Sequence, residues 1–316
     1  MERQDSIDLR GVAMLVAFSL LLGFNQVVIK VTNGGLQPVF FAGLRSVLSC
    51  ILLLAWMRWR GIPLGLSRHV LGAGIALGVF FTIEFVALFL ALDMTTVSRA
   101  SIMFYTMPLW TALGAHFLIP GERLTGLRLV GFLVALAGVA WAMADRGTQG
   151  QASLAGDLLG LVGALGWAGI ALSLRASRAA ELQPEQQLLW QLLVSVPLIL
   201  GLTPFFGPLI RDLAPIHLAG LGFQALFISF AGFLFWFFLL KRYPASGVAS
   251  FGFLTPVFAV GMGWALLGEP LGPHIVAALA LVAVGLVLIN RRPGPGRGAG
   301  RAVPRAVAEG QRTAQS

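Results

Sequence analysis

The chain has 316 residues, of which 57% are apolar and only 11% charged, with a formal net charge of +9 and a mean hydropathy of +0.85. Soluble domains carry about 25% charged residues, so this composition excludes an ordinary soluble fold. The single cysteine, Cys50, excludes a disulfide framework and a multi-cysteine metal site. The positive charge lies in short connections and the C-terminal tail, where membrane orientation accounts for it without nucleic acid.

Residues 1–10 mix arginines with acidic residues and read as a short N-terminal segment. Ten apolar runs follow, at 11–30, 37–58, 67–91, 96–119, 124–144, 156–177, 185–205, 215–240, 247–267 and 272–290. Each is long enough to cross a bilayer as a helix. The first is too long for a signal-peptide core and lacks a small-residue cleavage site, so it is expected to be retained. Transmembrane strands need about ten residues of alternating polarity, which these runs do not show. Pro120, Pro215, Pro244 and Pro270 fall at or beside run ends, where a missing backbone donor costs least. The expected fold is therefore an all-α polytopic membrane protein with ten transmembrane helices.

Ten spans put both termini on one face. With that face cytoplasmic, 17 of the basic residues lie inside and Lys30, Arg99, Arg146 and Arg211 lie outside, with Arg45 within a span. The positive-inside rule selects this orientation. Residues 291–316, rich in Gly, Pro, Ala and Arg, are expected to form a disordered basic cytoplasmic tail that rests against anionic lipid.

One passage occurs twice. Pro108 is followed by Gly121-Glu122, and Pro256 by Gly268-Glu269; each copy leads into a last apolar run with a late glycine, Gly138 or Gly285. Leu36-Gln37-Pro38 and Leu182-Gln183-Pro184 open matching runs, and the separations Pro38–Pro108 and Pro184–Pro256 are 70 and 72 residues. Gly23-Phe24 likewise matches Gly166-Trp167. The halves are then 11–150 and 151–290, each with five spans. An odd number of spans inverts the second half relative to the first, the architecture that underlies alternating access in secondary transporters.

Candidate functional residues follow from cost. Glu84 lies well inside the apolar core, where an acid is expensive and marks a solute site or a proton-coupling group by default. Arg45 lies at similar depth, so an ion pair or a solute clamp is available to the two, whereas seven residues past Pro184 stands the neutral Gln191. Bland alternatives exist: Arg45 snorkels to the headgroups and Glu84 faces a wet vestibule. Asn25, Phe81, Ser101, Tyr105, Trp167, Trp236 and Thr255 complete the candidate solute site, against the reading that each is ordinary packing. Pro108 and Pro256 are candidate hinges, since a mid-span proline frees a carbonyl and bends the helix. His116, near a span end, reads as structural, and the pairs Gly74/Gly78 and Gly156/Gly160 as sites of close helix approach. No nucleotide-binding glycine loop, metalloprotease signature or selectivity element appears, so no enzyme, cofactor, metal site or channel is expected.

Residues 11–290 resemble the EamA branch of the drug/metabolite transporter superfamily, through Gly23-Phe24-Asn25, Lys30, Pro38 with Arg45, and the two proline-to-Gly-Glu blocks. Phe24 stands where tryptophan is usual, Pro120 is an extra residue, and the second half has no arginine matching Arg45. The resemblance implies a carrier of the bacterial inner membrane, exporting amino acids or related metabolites, with a cavity formed by spans 1, 3, 4, 6, 8 and 9, and the protein is expected to act as a monomer. Aromatic amino acid exporters are the relatives that an aromatic-lined cavity suggests. The other readings are a carrier of a drug-like cation or nucleoside precursor, and a non-transporting membrane scaffold.

Overall fold

The computed structural model describes residues 7–144, 153–243 and 251–290. The boundary expected between the halves, Pro244 and the basic tail lie outside the described residues. The described secondary structure is helical: α1 (Leu9–Asn33), α2 (Pro38–Arg60), α3 (Leu71–Met94), α4 (Val97–Phe104), α5 (Met107–Leu118), α6 (Gly126–Ala144), α7 (Leu154–Ala176), α8 (Pro184–Leu202), α9 (Pro215–Phe223), α10 (Phe233–Arg242), α11 (Leu254–Leu267) and α12 (Pro273–Asn290). Among the described residues, seven helical segments are long and apolar enough to cross a membrane. The protein is thus an all-α polytopic membrane protein.

Local chemistry sets the helix ends. Asp8 Oδ1 accepts the Gly11 amide at 2.7 Å and Gln37 Oε1 the Phe40 amide at 3.0 Å, each meeting a first-turn donor that the helix leaves unpaired. Thr96 and Ser153 cap α4 and α7 in the same way. Pro38, Pro184 and Pro215 open α2, α8 and α9, where no amide is needed. Gly61 and Gly268 end α2 and α11 at φ 65°, in the left-handed region that glycine enters without steric cost.

Two runs expected as single helices are broken. The 96–119 run divides into α4 and α5 at Tyr105–Thr106, where the Thr106 amide bonds Met103 O at 3.3 Å and the Leu109 amide bonds Thr106 O at 2.8 Å. Pro108 lies in the first turn of α5, so it opens a second helix instead of kinking one. Pro256 similarly lies in the first turn of α11, just after a turn at Gly252–Phe253. The 215–240 run is α-helical at both ends but π-helical over Gln224–Gly232, a local widening that recurs at functional sites.

Apolar burial gives little drive for association inside a bilayer, so close packing must supply it. Glycines do this in two seams. A Cβ on Gly166 of α7 would lie 2.6 Å from Glu84 N and 3.0 Å from Phe80 O, so the two backbones touch. Gly131 and Gly285 bring α6 and α12 equally close, with Gly138 against Ala278 O. Gly74 and Gly78 accept the Trp190 ring and Val194 of α8, and Gly156 and Gly160 accept Met94 with Thr95 and Met103.

The packing partners exchange under a swap of halves. α3 rests on α7 as α9 rests on α1, and α3 meets α8 as the π-helical stretch meets α2. α4 and α5 meet α7 as α11 meets α1, while α2–α8 and α6–α12 pair with their own counterparts. Large apolar side chains such as Leu133, Trp141, Phe205 and Trp264 point outward, where lipid replaces water as the solvent.

Candidate functional site

The polar groups of the interior gather where α1, α2, α3 and α4 meet. α1 is held against α11 at Gly23, where a Cβ would lie 2.9 Å from Ala259 N. This places Asn25 and Gln26, both buried, on the inward side of α1. Asn25 Oδ1 accepts a hydrogen bond from Gln224 Nε2 of the π-helical stretch, and Gln26 is within hydrogen-bonding reach of Tyr105. The Oε1 atoms of both Gln26 and Gln224 are buried with no hydrogen-bond partner.

Arg45 on α2 is 1% exposed. Its guanidinium carbon lies 3.8 Å from the centre of the Phe85 ring, with Phe81 at 5.8 Å and Phe89 at 5.7 Å. A cation over an aromatic face gains some electrostatic energy, but the guanidinium Nε and Nη1 atoms have no hydrogen-bond partner. Glu84, on the turn of α3 between Phe81 and Phe85, is the charged group that Arg45 senses, and Arg45 the one that Glu84 senses. Among the described residues the two make no ion pair within 4.0 Å. Arg45 does not snorkel to the surface, since it is 1% exposed, and Glu84 is buried to 5% exposure.

The other expected site residues divide. Phe81 packs at 4.4 Å against Phe85, the rings tilted by 47°, beside Arg45. Ser101, fully buried with an unpartnered hydroxyl, and Tyr105 stand one turn apart on the α4 side, and Trp167 packs against the same core as Tyr105. Trp236 belongs elsewhere. It stacks at 5.8 Å on Phe18, in a separate cluster with Leu15, Leu239 and Tyr243. Thr255 is buried in the first turn of α11. His116 Nδ1 accepts the Leu124 amide at 3.3 Å, a structural role.

The end of the bundle that holds Lys30 carries a second polar system, which sequence reasoning missed. Arg99 of α4 and Asp157 of α7 form an ion pair buried to 6% and 0% side-chain exposure, with Arg99 Nε donating to Asp157 Oδ1 at 3.1 Å. Asp157 is therefore a buried acid like Glu84 and Glu269, and Arg99 lies within α4. Glu269 reaches across to cap α4, accepting the Val97 amide at 2.6 Å and the Ser98 amide and hydroxyl at 3.0 Å. Lys30 Nζ donates to Leu92 O at 3.0 Å and Thr95 O at 2.7 Å, tying α1 to the end of α3. Lys30, Asp93, Thr95, Thr96 and Glu269 line a cleft of about 480 Å³ there. Arg211 closes the same end with a bidentate pair to Asp93, whose hydrogen bonds hold the guanidinium above the usual arginine range.

One sequence signal for each system was available: Gln224 at the first and Asp157 at the second are polar residues within otherwise apolar runs. Among the described residues, no group of three or more His, Cys, Asp or Glu side chains gathers to hold a metal.

Such an assembly, with helices broken at matching places around a buried charged centre, is that of a multi-pass membrane transporter. The EamA-like transporter family model matches it twice, over residues 9–144 and 154–291. The chain belongs to the EamA-like transporter family and is a secondary transporter of small organic solutes. It is similar to the "Probable amino-acid metabolite efflux pump" of Escherichia coli (strain K12), at 27% identity over 303 residues, covering 91% of this chain and 95% of that one. It is also similar to the "Uncharacterized transporter YoaV" of Bacillus subtilis (strain 168), at 22% identity over 277 residues, covering 87% and 94%. A solved crystal structure superposes with a TM-score of 0.62 at 21% identity, covering 88% of this chain and 95% of that one, a likeness of fold alone.

Proposed function

We propose that the protein exports amino acids or related metabolites across the bacterial inner membrane by alternating access. In this reading it acts as a monomer, with both termini cytoplasmic and ten spans in two inverted five-helix repeats. The observation that carries the reading is the Arg45–Glu84 centre, buried in the half whose helices exchange packing partners with those of the other. Two buried charges without direct partners are costly to maintain in an apolar interior, and a role in binding accounts for that cost. The turns ahead of Pro108 and Pro256 supply the matching points at which α4–α5 and α11 would swing. The similarity to the amino-acid metabolite efflux pump of Escherichia coli supports the solute class. Phe81, Phe85, Tyr105 and Trp167 favour solutes with apolar or aromatic side chains, as aromatic amino acid exporters would require.

Proton exchange, if coupled, runs through Glu84, which faces Arg45 from α2 and Tyr105 from α4. Counterflow in proteoliposomes with a panel of labelled amino acids, organic cations and nucleosides tests the function. Exchange of at least one amino acid is expected, and no exchange of any solute overturns the transporter mechanism proposed here. Glu84→Gln is expected to abolish any dependence of flux on a pH gradient; an unchanged gradient-driven flux removes Glu84 from coupling.

A further inference from the structure

Residues 93–99, which join α3 to α4, are held by charged side chains that converge from elsewhere in the chain. Arg211 donates to both Asp93 oxygens, Asp157 accepts the Thr95 hydroxyl at 3.3 Å and pairs with Arg99, and Glu269 accepts the Val97 and Ser98 amides. These three belong to the second half, and Lys30 adds a hold on Thr95 O from α1. The same segment borders open space, since Asp93, Thr95, Thr96, Lys30 and Glu269 line the cleft of about 480 Å³. Beyond it, α4 is only 8 residues long, and its hydrogen-bonded ladder ends at the Tyr105–Thr106 turn. A short helix bounded in this way can tilt without unwinding its neighbour.

The holds differ in what their release costs. Arg99 and Asp157 are both buried, and separating a buried pair is expensive, so this pair stays as an anchor. Glu269 and Lys30 line the cleft, and each holds neutral groups of α3 or α4 whose place water can take. Once α4 moves off, the two side chains face each other across the cleft, so neither charge is left without an opposite one. At the far end of α5 the equivalent carboxylate, Glu122, caps no helix among the described residues and pairs with the exposed Arg175. One end is thus fastened and the other is not. We infer, on the alternating-access reading above, that the α3–α4 connection is a gate at the Lys30 end. The Glu269 carboxylate on the start of α4 shuts it in this structure, and release of that cap opens the path from the cleft to the interior.

Opening is read with a thiol on α4 itself. In a Cys50→Ala background, Ser101→Cys puts that thiol where the native side chain is fully buried. Right-side-out and inverted membrane vesicles holding the full chain are treated with a membrane-impermeant cationic methanethiosulfonate. Adding Glu269→Ala should speed labelling in right-side-out vesicles about tenfold, the worth of a helix cap, and should not speed it in inverted ones. Adding Glu122→Ala should not speed it in right-side-out vesicles, because its pair lies at the other end.

Equal labelling with and without Glu269→Ala overturns the inference, and so does an equal rise in both kinds of vesicle, the mark of a loosened bundle. A rise confined to inverted vesicles keeps the gate and reverses the orientation of the chain. Labelling needs no solute, so these results stand even where the counterflow panel shows no exchange and the transport reading fails. A crosslink keeps the test decisive should Glu269→Ala fail to fold. A Cβ on Gly263 would lie 3.2 Å from Val97 Cβ, near the ~3.8 Å of a disulfide. Val97→Cys with Gly263→Cys, in the same Cys50→Ala background, therefore ties α4 to α11 on oxidation. Oxidation should stop counterflow of labelled L-phenylalanine, L-leucine and L-threonine, and reduction should restore it. Exchange that continues with the crosslink formed overturns the gate.

Discussion

The two halves of the molecule share a frame and differ in what fills it. Seven residues past Pro38 stands Arg45, whose guanidinium Nε and Nη1 have no hydrogen-bond partner; seven past Pro184 stands Gln191, whose Nε2 bonds Gln187 O of its own helix at 3.2 Å. Two and three residues past Gly23 are Asn25 and Gln26, and past Gly166 they are Ala168 and Gly169. The unpartnered guanidinium thus lies in the first half, while α7 of the second carries Gly156, Gly160, Gly163, Gly166 and Gly169 on the side that meets α3 and α4, with the buried Asp157 beside Gly156. A site built this way is completed only where the halves meet, because the glycine surface of one sets the backbone that bears Glu84 of the other.

The largest expected effect breaks the contact between halves by charge. Asp157→Ala leaves Arg99 buried without the carboxylate that neutralises it, and removal of one partner from a buried pair costs about 3–5 kcal/mol. Denaturant or thermal unfolding in detergent should show this loss. The double variant Arg99→Met with Asp157→Leu should recover most of it, since two apolar groups need no neutralisation. A double variant as unstable as Asp157→Ala would mean that Arg99 or Asp157 acts through something other than their pairing.

Next comes the steric half of the comparison. Gly166→Ala places a methyl 2.6 Å from the Glu84 backbone nitrogen, and overpacking of this kind costs about 1–3 kcal/mol. Transport should fall with it, because the chain segment that must shift bears Glu84. Gly201→Ala, where an added Cβ meets nothing within 4 Å, should be neutral or slightly stabilising. Equal effects at both positions would show that helix propensity, and not the α3–α7 contact, governs the response.

The equivalent glutamates give a smaller contrast. Glu269 is buried and caps α4 through two amides and a hydroxyl, whereas Glu122 pairs with Arg175 at side-chain exposures of 37% and 44%. Glu269→Ala should cost about 1–2 kcal/mol, as the loss of a helix cap does, and Glu122→Ala about 0–1 kcal/mol, as for an exposed pair. Thermal unfolding of the two variants side by side measures the difference. Comparable losses would show that the sequence equivalence of the two glutamates outweighs their different surroundings.

These contrasts show what a sequence discloses and where it stops. The all-helical, polytopic character of the chain and the likeness of its two halves were legible because hydropathy and register are one-dimensional properties. The break at Tyr105–Thr106 was not, since apolar residues run through it and Pro108 suits the first turn of a new helix as well as a bend in an old one. Arg99 read only as an outer-face charge because its partner, Asp157, is 58 residues away. Trp236 read as a cavity wall, but its aromatic contacts are to Phe18 and not to the Arg45 group. Glu269 caps α4 from the end of α11, a tertiary fact that no local pattern discloses.

The smallest expected effect lies at the exposed clamp between the halves. Arg211 Nη1 and Nη2 bond Asp93 at 2.7 and 3.0 Å, Nη1 also bonds Asn33 O at 3.0 Å, and the Arg211 amide bonds Gly35 O at 3.0 Å. Asp93→Asn removes the charge attraction but leaves the last two bonds, so its cost should be about 0–1 kcal/mol. Asp93 raises the Arg211 pKa, so this contribution is fully present below the ordinary arginine range and is lost only as pH rises through the raised value. From the arginine's side, stability should therefore be flat with pH across the neutral range. Salt should act instead: at about 1 M, where the Debye length is near 3 Å, wild type and Asp93→Asn should unfold at the same temperature. A gap that persists in high salt would show that the clamp is held by geometry as much as by charge, and would place it beside the buried Arg99–Asp157 pair in strength.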